Sequence, residues 1–332
     1  MPDRKEVETA LDKVLVPGVA RSLMKMNLVK DVGVADGKVE VTLADAALMP
    51  GTREWLAEEV KEAVTGLDRV QEVNVSYAEA RPKELNCIGN VIAIMSGKGG
   101  VGKSLVASLA AMALRRQGHE VGILDADITG PSIPKMFGIG GRPPATENGL
   151  LPITSRSGIE VMSINLLLPA DDEAVIWRGP LIGHAITQFW EDVLWGRLDY
   201  LIVDLPPGTA DAPLTTLQQL PICGIIIVFT PQELAAMVVR KAVKMARLLD
   251  KRIIGVIENM SYLYVPELDK KIEMFGRSRG KEMARSAGAP LLGQLPLDPA
   301  LAALCDAGNI ESYDAEAYSA LAQKLTGVLN TK

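Results

Sequence analysis

The chain has 332 residues, of which 48% are hydrophobic, 23% charged and only 4% aromatic. Roughly 150 residues per domain predicts about two domains, and the composition excludes wholesale disorder. Thirty-five basic against 41 acidic residues leave a net charge of −6, which argues against a nucleic-acid coat, and the scarce aromatics argue against a single-strand stacking platform.

The first 79 residues read as a small α+β domain: helix Val7–Leu15, strands Leu28–Val34 and Lys38–Leu43, helix Thr52–Thr65 and strand Val70–Tyr77. Ala35-Asp36-Gly37 between the first two strands is a hairpin signal. Residues 80–89 are charged at first, carry Pro82 and lack apolar periodicity, so they read as a linker. From residue 90 to 332, apolar runs alternate with helical patterns. The runs are Val91–Met95, Val121–Leu124, Tyr200–Leu205, Gly224–Phe229, Ile253–Ile257 and Leu291–Leu295. Nearly continuous apolar strands between helices predict an α/β domain with a mainly parallel sheet covered on both faces, and such sheets bind ligands at the carboxyl ends of their strands.

Gly97-Lys98-Gly99-Gly100-Val101-Gly102-Lys103-Ser104 fits G-x-x-x-x-G-K-[ST]. It follows an apolar strand and opens the helical pattern Leu105–Arg116, as a phosphate-binding loop must. The glycines let backbone N–H groups wrap an anion and the helix N-terminus adds its dipole. Lys103 is expected to reach the β- and γ-phosphates of ATP, and Ser104 to ligate Mg²⁺. Two later strands end in carboxylates, Asp125-Ala126-Asp127 and Asp204. Asp204, with Asp125, is expected to hold the Mg²⁺. Asp127 is the candidate to orient the attacking water, on the same side as Asp125 if the extended strand continues. Either residue of that pair could instead cap the following turn.

The early Lys98 makes the loop resemble the deviant Walker A of the MinD/ParA/Mrp ATPases. The Mrp branch of iron–sulfur cluster carriers is resembled further by Asp125–Gly138, Val175–Pro180, Asp199–Asp211, Thr230-Pro231-Gln232, Ile257–Tyr262 and Leu292–Pro299. The first domain resembles the one often fused in front of bacterial Mrp proteins. The resemblance implies a nucleotide-gated homodimer that hydrolyses ATP slowly, with Lys98 reaching the partner's nucleotide. It also implies that Asn259 reads the adenine, residues from Pro296 to Asp298 flank the base, and Asp127 and Asp211 lie in two switch regions. From chemistry alone, Asn259 has the donor and acceptor that adenine needs, but an Asn after a strand is as often a turn residue.

In the same family a C-P-x-C stretch bridges a cluster across the dimer. Here Val265-Pro266-Glu267-Leu268 stands in its place, and Met49 stands where relatives of the first domain often carry cysteine. Val and Leu cannot replace thiolate ligands, so no iron–sulfur ligand is assigned and the chain's own cluster is in question. Cys87 is read as an exposed linker thiol, Cys223 as packing at the start of a buried strand, and Cys305 as part of a late helix. None of these, nor His119 or His184, has metal-ligand spacing to another.

The sparse, odd cysteine set suggests a reducing compartment, and MPDRKEVETAL lacks the apolar region of a signal peptide, so a cytoplasmic protein is expected. Ala315–Leu329 reads as a helix packing on the ATPase domain rather than on membrane, and Arg240–Arg247 as a solvated basic face rather than a nucleic-acid site. Arg178 could contact phosphate or the dimer partner, or hold the following helix, and Tyr262 and Tyr264 could face a partner or pack. The expected role is iron–sulfur assembly or transfer, alongside a scaffold, an apo-protein client or a cysteine-bearing homologue. The runner-up is a cluster-free ATP switch that positions another protein. A small-molecule kinase is weaker, since no acceptor pocket can be read.

Overall fold

A computed structural model describes residues 2–19, 21–127, 130, 132–146, 148–167, 179–314 and 316–329. Arg178 and the side chain of His184 lie outside the described residues. Cα packing divides the chain into two compact units: residues 1–89, 142–154 and 188–199, and the remainder.

The first unit opens with α1 (Arg4–Leu11), which starts before the expected Val7. The cause is a capping box, in which Asp3 accepts from the Glu6 N–H while the Glu6 carboxylate accepts from the Asp3 N–H. Its three-stranded sheet comprises β1 (Val29–Ala35), β2 (Lys38–Asp45) and, after α2 (Pro50–Thr65), β3 (Glu72–Glu79). β1 and β2 run antiparallel through Asp36 and Gly37, both at positive φ, as a twisted two-residue hairpin requires. α2 carries the chain across so that β3 returns parallel to β2. Val7 and Leu11 of α1, Val39, Val41 and Leu43 of β2, and Leu56, Val60 and Val64 of α2 form one buried core.

The expected linker is ordered. Pro82–Leu85 is a helical turn, and the Asn86 amide donates to the Val193 carbonyl and accepts from the Trp195 N–H. Cys87 is already the first residue of β4 (Cys87–Ser96). Residues 142–154 and 188–199, read from sequence as part of the second domain, belong by packing to the first unit.

Along the chain the order after β4 is α3 (Lys103–Arg116), β5 (Val121–Asp125), α4 (Ile133–Phe137), β6 (Glu160–Ser163), α5 (Gly179–Glu191), β7 (Arg197–Asp204), α6 (Asp211–Gln219), β8 (Gly224–Phe229), α7 (Glu233–Leu248) and β9 (Ile253–Glu258). A short hairpin of β10 (Leu263–Val265) and β11 (Lys270–Ile272) follows, then α8 (Gly280–Ala287), β12 (Leu291–Gln294), α9 (Pro299–Asp306) and α10 (Glu316–Leu329). The central eight-stranded sheet contains the run β6-β5-β7-β4-β8-β9-β12. β5 is parallel to β6 and β7, β8 to β4 and β9, and β9 to β12. From β4 the chain moves one way to β5 and later the other way to β8 and β9. Right-handed crossovers then put helices on both faces.

The reversal lies beside β4, and the phosphate loop leaves the carboxyl end of that strand. α10 packs on α3 and β12 through buried Tyr318, Leu321 and Leu325, as its periodicity predicted. No helix among the described residues is long and apolar enough to cross a membrane.

Candidate nucleotide site

Residues Gly97–Gly102 form the turn between β4 and α3. Gly102 is the N-cap of α3 at φ +78°, a backbone conformation that L side chains resist. A Cβ there would lie 2.2 Å from Asn259 Nδ2. Asn259 is 1% exposed and donates through Nδ2 to the Val101 carbonyl at 2.9 Å. It braces the phosphate loop from behind.

Lys103 opens α3 yet is only 5% exposed. Its Nζ lies 2.7 Å from Asp204 Oδ1 and 3.4 Å from Asp127 Oδ2, two acceptors that offset the cost of burying the ammonium. Asp204 ends β7 and Asp125 ends β5, and the two stand in register on neighbouring strands. Both are fully shielded from solvent. Burial, and then Asp204, push the Asp125 carboxyl up to about 8, with Lys103 pulling it back. Burial also raises Asp204, opposed by Lys103 and the Ser104 hydroxyl. Asp204 Oδ2 is buried with no hydrogen-bond partner among the described residues. An orphaned carboxylate oxygen beside Ser104 and Asp125 is the donor set a hard divalent cation takes, so these residues fit Mg²⁺.

The extended strand stops at Asp125, which corrects the reading of Asp125 and Asp127 along one continuing strand. The Asp125 carboxylate turns back to accept from the Asp127 N–H at 3.2 Å, and also from the Ile133 N–H and Ser163 hydroxyl. Asp125 therefore does cap the turn, and Asp127 faces Lys103 because the chain bends there. Ser163, at the carboxyl end of β6 and in register with Asp125, was not singled out from sequence.

Lys98 is half-buried, and its Nζ meets Gln232 Oε1 at 2.5 Å within the same chain. Gln232 and the Thr230 hydroxyl, which is buried with no hydrogen-bond partner among the described residues, belong to the Thr-Pro-Gln run, whose polar side chains after β8 were the available signal. Pro296 is half-buried. Asp298 is spent on the fold. One carboxylate oxygen accepts from the Ala300 and Leu301 N–H groups at the start of α9, and the other from the Tyr313 hydroxyl at 2.9 Å. Asp211 begins α6, close after the β7 end.

Glu258 was missed because a carboxylate closing an apolar strand gives no periodic signal. It is fully buried and accepts from the Ser261 and Ser278 hydroxyls, the Arg279 N–H and the Gln294 amide, all within 2.6–2.8 Å. Ser261 precedes the β10–β11 hairpin and Ser278 follows it, so one carboxylate pins both feet.

The hairpin carries Val265, Pro266, Glu267 and Leu268 and no thiol. Cys87 and Cys223 are exposed and Cys305 half-buried. For Cys223 this corrects the packed-interior reading: it sits one residue before β8, outside the buried run, although its Sγ contacts the Val91 carbonyl. Among the described residues no three His, Cys, Asp or Glu side chains form a metal-binding group. The residues present do not fit an iron–sulfur cluster held by this chain alone.

Residues 87–330 match the family described as NUBPL iron-transfer P-loop NTPase, and residues 4–76 match the iron–sulfur cluster assembly protein family. An iron–sulfur cluster carrier protein of Synechocystis is 38% identical over 97% of this chain and 96% of its own length. One from Aquifex aeolicus is 33% identical over 99% of both. The cytosolic Fe–S cluster assembly factor NUBP2 of Homo sapiens is 43% identical over 70% of this chain and 88% of its own. Among solved structures, a nucleotide-binding protein from Archaeoglobus fulgidus in complex with ADP is 44% identical, with a TM-score of 0.62 over 70% of this chain and 90% of that one. The MinD cell division protein of Aquifex aeolicus, at 20% identity and TM-score 0.51 over 72% of this chain and 97% of that one, shares the fold.

Proposed function

The chain belongs to the NUBPL iron-transfer P-loop NTPase family, and on that premise we propose that it is a slow ATPase whose nucleotide-gated homodimer serves iron–sulfur cluster assembly or transfer in the cytosol. The observation that carries the ATPase reading is Lys103, held on Asp204 at the mouth of the phosphate loop. An incoming triphosphate offers that ammonium a second set of anions. Lys103 then leaves Asp204 for the β- and γ-phosphates, and the backbone N–H groups of residues 97–104 take the remaining phosphate oxygens. Ser104, Asp125 and Asp204 would hold Mg²⁺, which when bound neutralises phosphate charge. Asp127 orients water for in-line attack on the γ-phosphorus. Water adds to phosphorus, the bond to the β-bridging oxygen breaks, and ADP and phosphate leave. Lys98 completes the partner's site after giving up Gln232, and Asn259 contributes its free amide edge toward the base, with Pro296 and Asp298 at the rim.

The reading predicts that Lys103→Ala abolishes ATP binding and turnover. Unchanged turnover would overturn it. Lys98→Ala is expected to spare nucleotide binding while weakening ATP-dependent dimerisation.

A second reading, a cluster-free ATP switch acting on a partner protein, is favoured by the missing thiol donors. Iron and sulfide measured after anaerobic reconstitution, with Cys87→Ser alongside, separate the two. A stoichiometric cluster supports direct carriage. Its absence with ATP still bound supports the switch, with the cluster held by a scaffold, a client or a cysteine-bearing homologue.

A further inference from the structure

The chain carries a net charge of −6, yet one of its faces is basic. α7 packs on β8, α8 packs on β9 and β12, and the two helices pack on each other, so they lie side by side over one face of the central sheet. Val239, Val243 and Ala246 turn one side of α7 into the core, as Met283 and Ala287 do for α8. What the pair shows to solvent is Arg240, Lys241, Lys244 and Arg247 from α7, and Lys281 and Arg285 from α8. Among the described residues none of these six cations has an ion-pair partner. From residue 237 to 249 the sequence holds no acid at all. The one acid of α8, Glu282, is already held by Arg279.

This arrangement is unfavourable within the chain itself. Arg240 and Lys244 are four residues apart on one helix, as are Lys281 and Arg285 on the other, and Lys244 stands three residues from both Lys241 and Arg247. Like charges at those spacings destabilise a helix. A matching anionic surface would turn the same repulsion into attraction.

The apolar residues of the face decide what kind of anion it suits. At about 100° per residue, the four α7 cations share a sector of about 120° with Met237 and Leu248. These two stand at opposite ends of the stripe, 48% and 86% exposed, about 16 Å apart along the helix axis. Phosphate contacts use cations and gain nothing from an exposed Met and Leu. A bilayer would need a free apolar face, and α7 has spent its own on the sheet. Apolar anchors at the two ends of a charged stripe suit a partner helix, which reads a surface through a few apolar contacts and complementary charge. The furrow between two packed helices is a straight seat for a third.

We propose that the α7–α8 face docks an acidic amphipathic helix of a partner protein. That helix is about three turns long. Its carboxylates meet the six cations, and apolar side chains at its two ends cover Met237 and Leu248. The proposal rests on the reading above in taking the partner to be a scaffold, client or homologue in cluster transfer. It adds the surface and the chemistry that surface recognises.

The probe is a labelled, lactam-stapled helical peptide with glutamates along one face and two leucines spaced as Met237 and Leu248 are. It is titrated into the full chain by fluorescence anisotropy. Saturable binding is expected, weakening as salt rises from about 50 to about 200 mM. Lys244→Glu is expected to weaken binding about tenfold or more by opposing like charges, with ATP affinity unchanged. Met237→Ser with Leu248→Ser is expected to weaken it about as much while the salt dependence stays. No saturable binding, or binding that Lys244→Glu leaves unchanged, overturns the proposal. So does tighter binding of a mixed-sequence DNA duplex or of phosphatidylglycerol vesicles that the Met237, Leu248 double variant does not affect, because the face is then a general polyanion site. Peptide binding as expected in a chain that shows no ATP turnover defeats the ATPase reading and leaves this surface standing.

Discussion

Asp125 and Asp204 stand opposite each other at the carboxyl ends of two neighbouring parallel strands, and both are buried. With Asp127 also close, three carboxylates share one near lysine, and burial raises both Asp125 and Asp204. The Asp125 carboxyl lies near 8 in the fold against an ordinary value of 3.8. The folded state therefore binds more protons than the unfolded chain between those limits, and stability falls as pH rises through that window. Asp125→Asn, which removes this titration, is expected to flatten the fall and to raise the melting temperature most near pH 8. Thermal unfolding at pH 5 and pH 8 without nucleotide measures it, and equal slopes for variant and wild type would count against the assignment.

Removing the Lys103 ammonium leaves Asp204 buried and unmatched. Lys103→Ala is expected to cost about 3–5 kcal/mol of stability, the usual cost of breaking a buried pair from one side. Lys103→Ala with Asp204→Asn is expected to recover most of that stability but no ATP binding. Denaturant unfolding and nucleotide titration on the same samples separate the two effects.

Gly102 combines positive φ with an approach to Asn259 too close for any Cβ. Gly102→Ala is expected to destabilise by roughly 1–3 kcal/mol and to lower ATP affinity. Shortening the neighbour in Gly102→Ala with Asn259→Ala relieves the collision but not the backbone strain, so partial recovery of the melting temperature is expected.

Glu258→Ala deletes the acceptor for four donors and is expected to cost about 3 kcal/mol, as buried hydrogen bonds to a charged group are lost. Hydrogen exchange is expected to rise across residues 259–279 and not in β1–β3.

Two thiols are exposed and one is half-buried with its pKa raised by burial and then Asp306. A thiol reagent at neutral pH is expected to label Cys87 and Cys223 quickly and Cys305 slowly. Slow labelling of Cys223 would restore the interior reading drawn from sequence.

The apolar strands and the phosphate loop were legible because periodicity and the glycine–lysine spacing are local properties. The parallel sheet followed from the length of the runs and the helices between them. Residues 142–154 and 188–199 were assigned elsewhere because packing partners distant in sequence leave no mark in either segment. Asp127 was paired with Asp125 for the wrong geometric reason, since whether a strand continues past Asp125 depends on that carboxylate capping its own turn. Cys223 illustrates a boundary effect: one residue outside an apolar run, exposure changes completely. The hairpin's missing thiols were visible at once, whereas the carboxylate that pins its feet, Glu258, showed only in the packing.

On the ATPase reading proposed above, the ion pair between Lys103 and Asp204 would tie the entry of two ligands together. A phosphate that arrives without a cation draws the lysine away and strands a carboxylate in the interior. A cation that arrives without phosphate satisfies the carboxylate and leaves the lysine only its longer contact to Asp127. Joint arrival would satisfy lysine and carboxylate together, so on the reading proposed above the loop would serve as a coincidence detector for the metal–nucleotide complex.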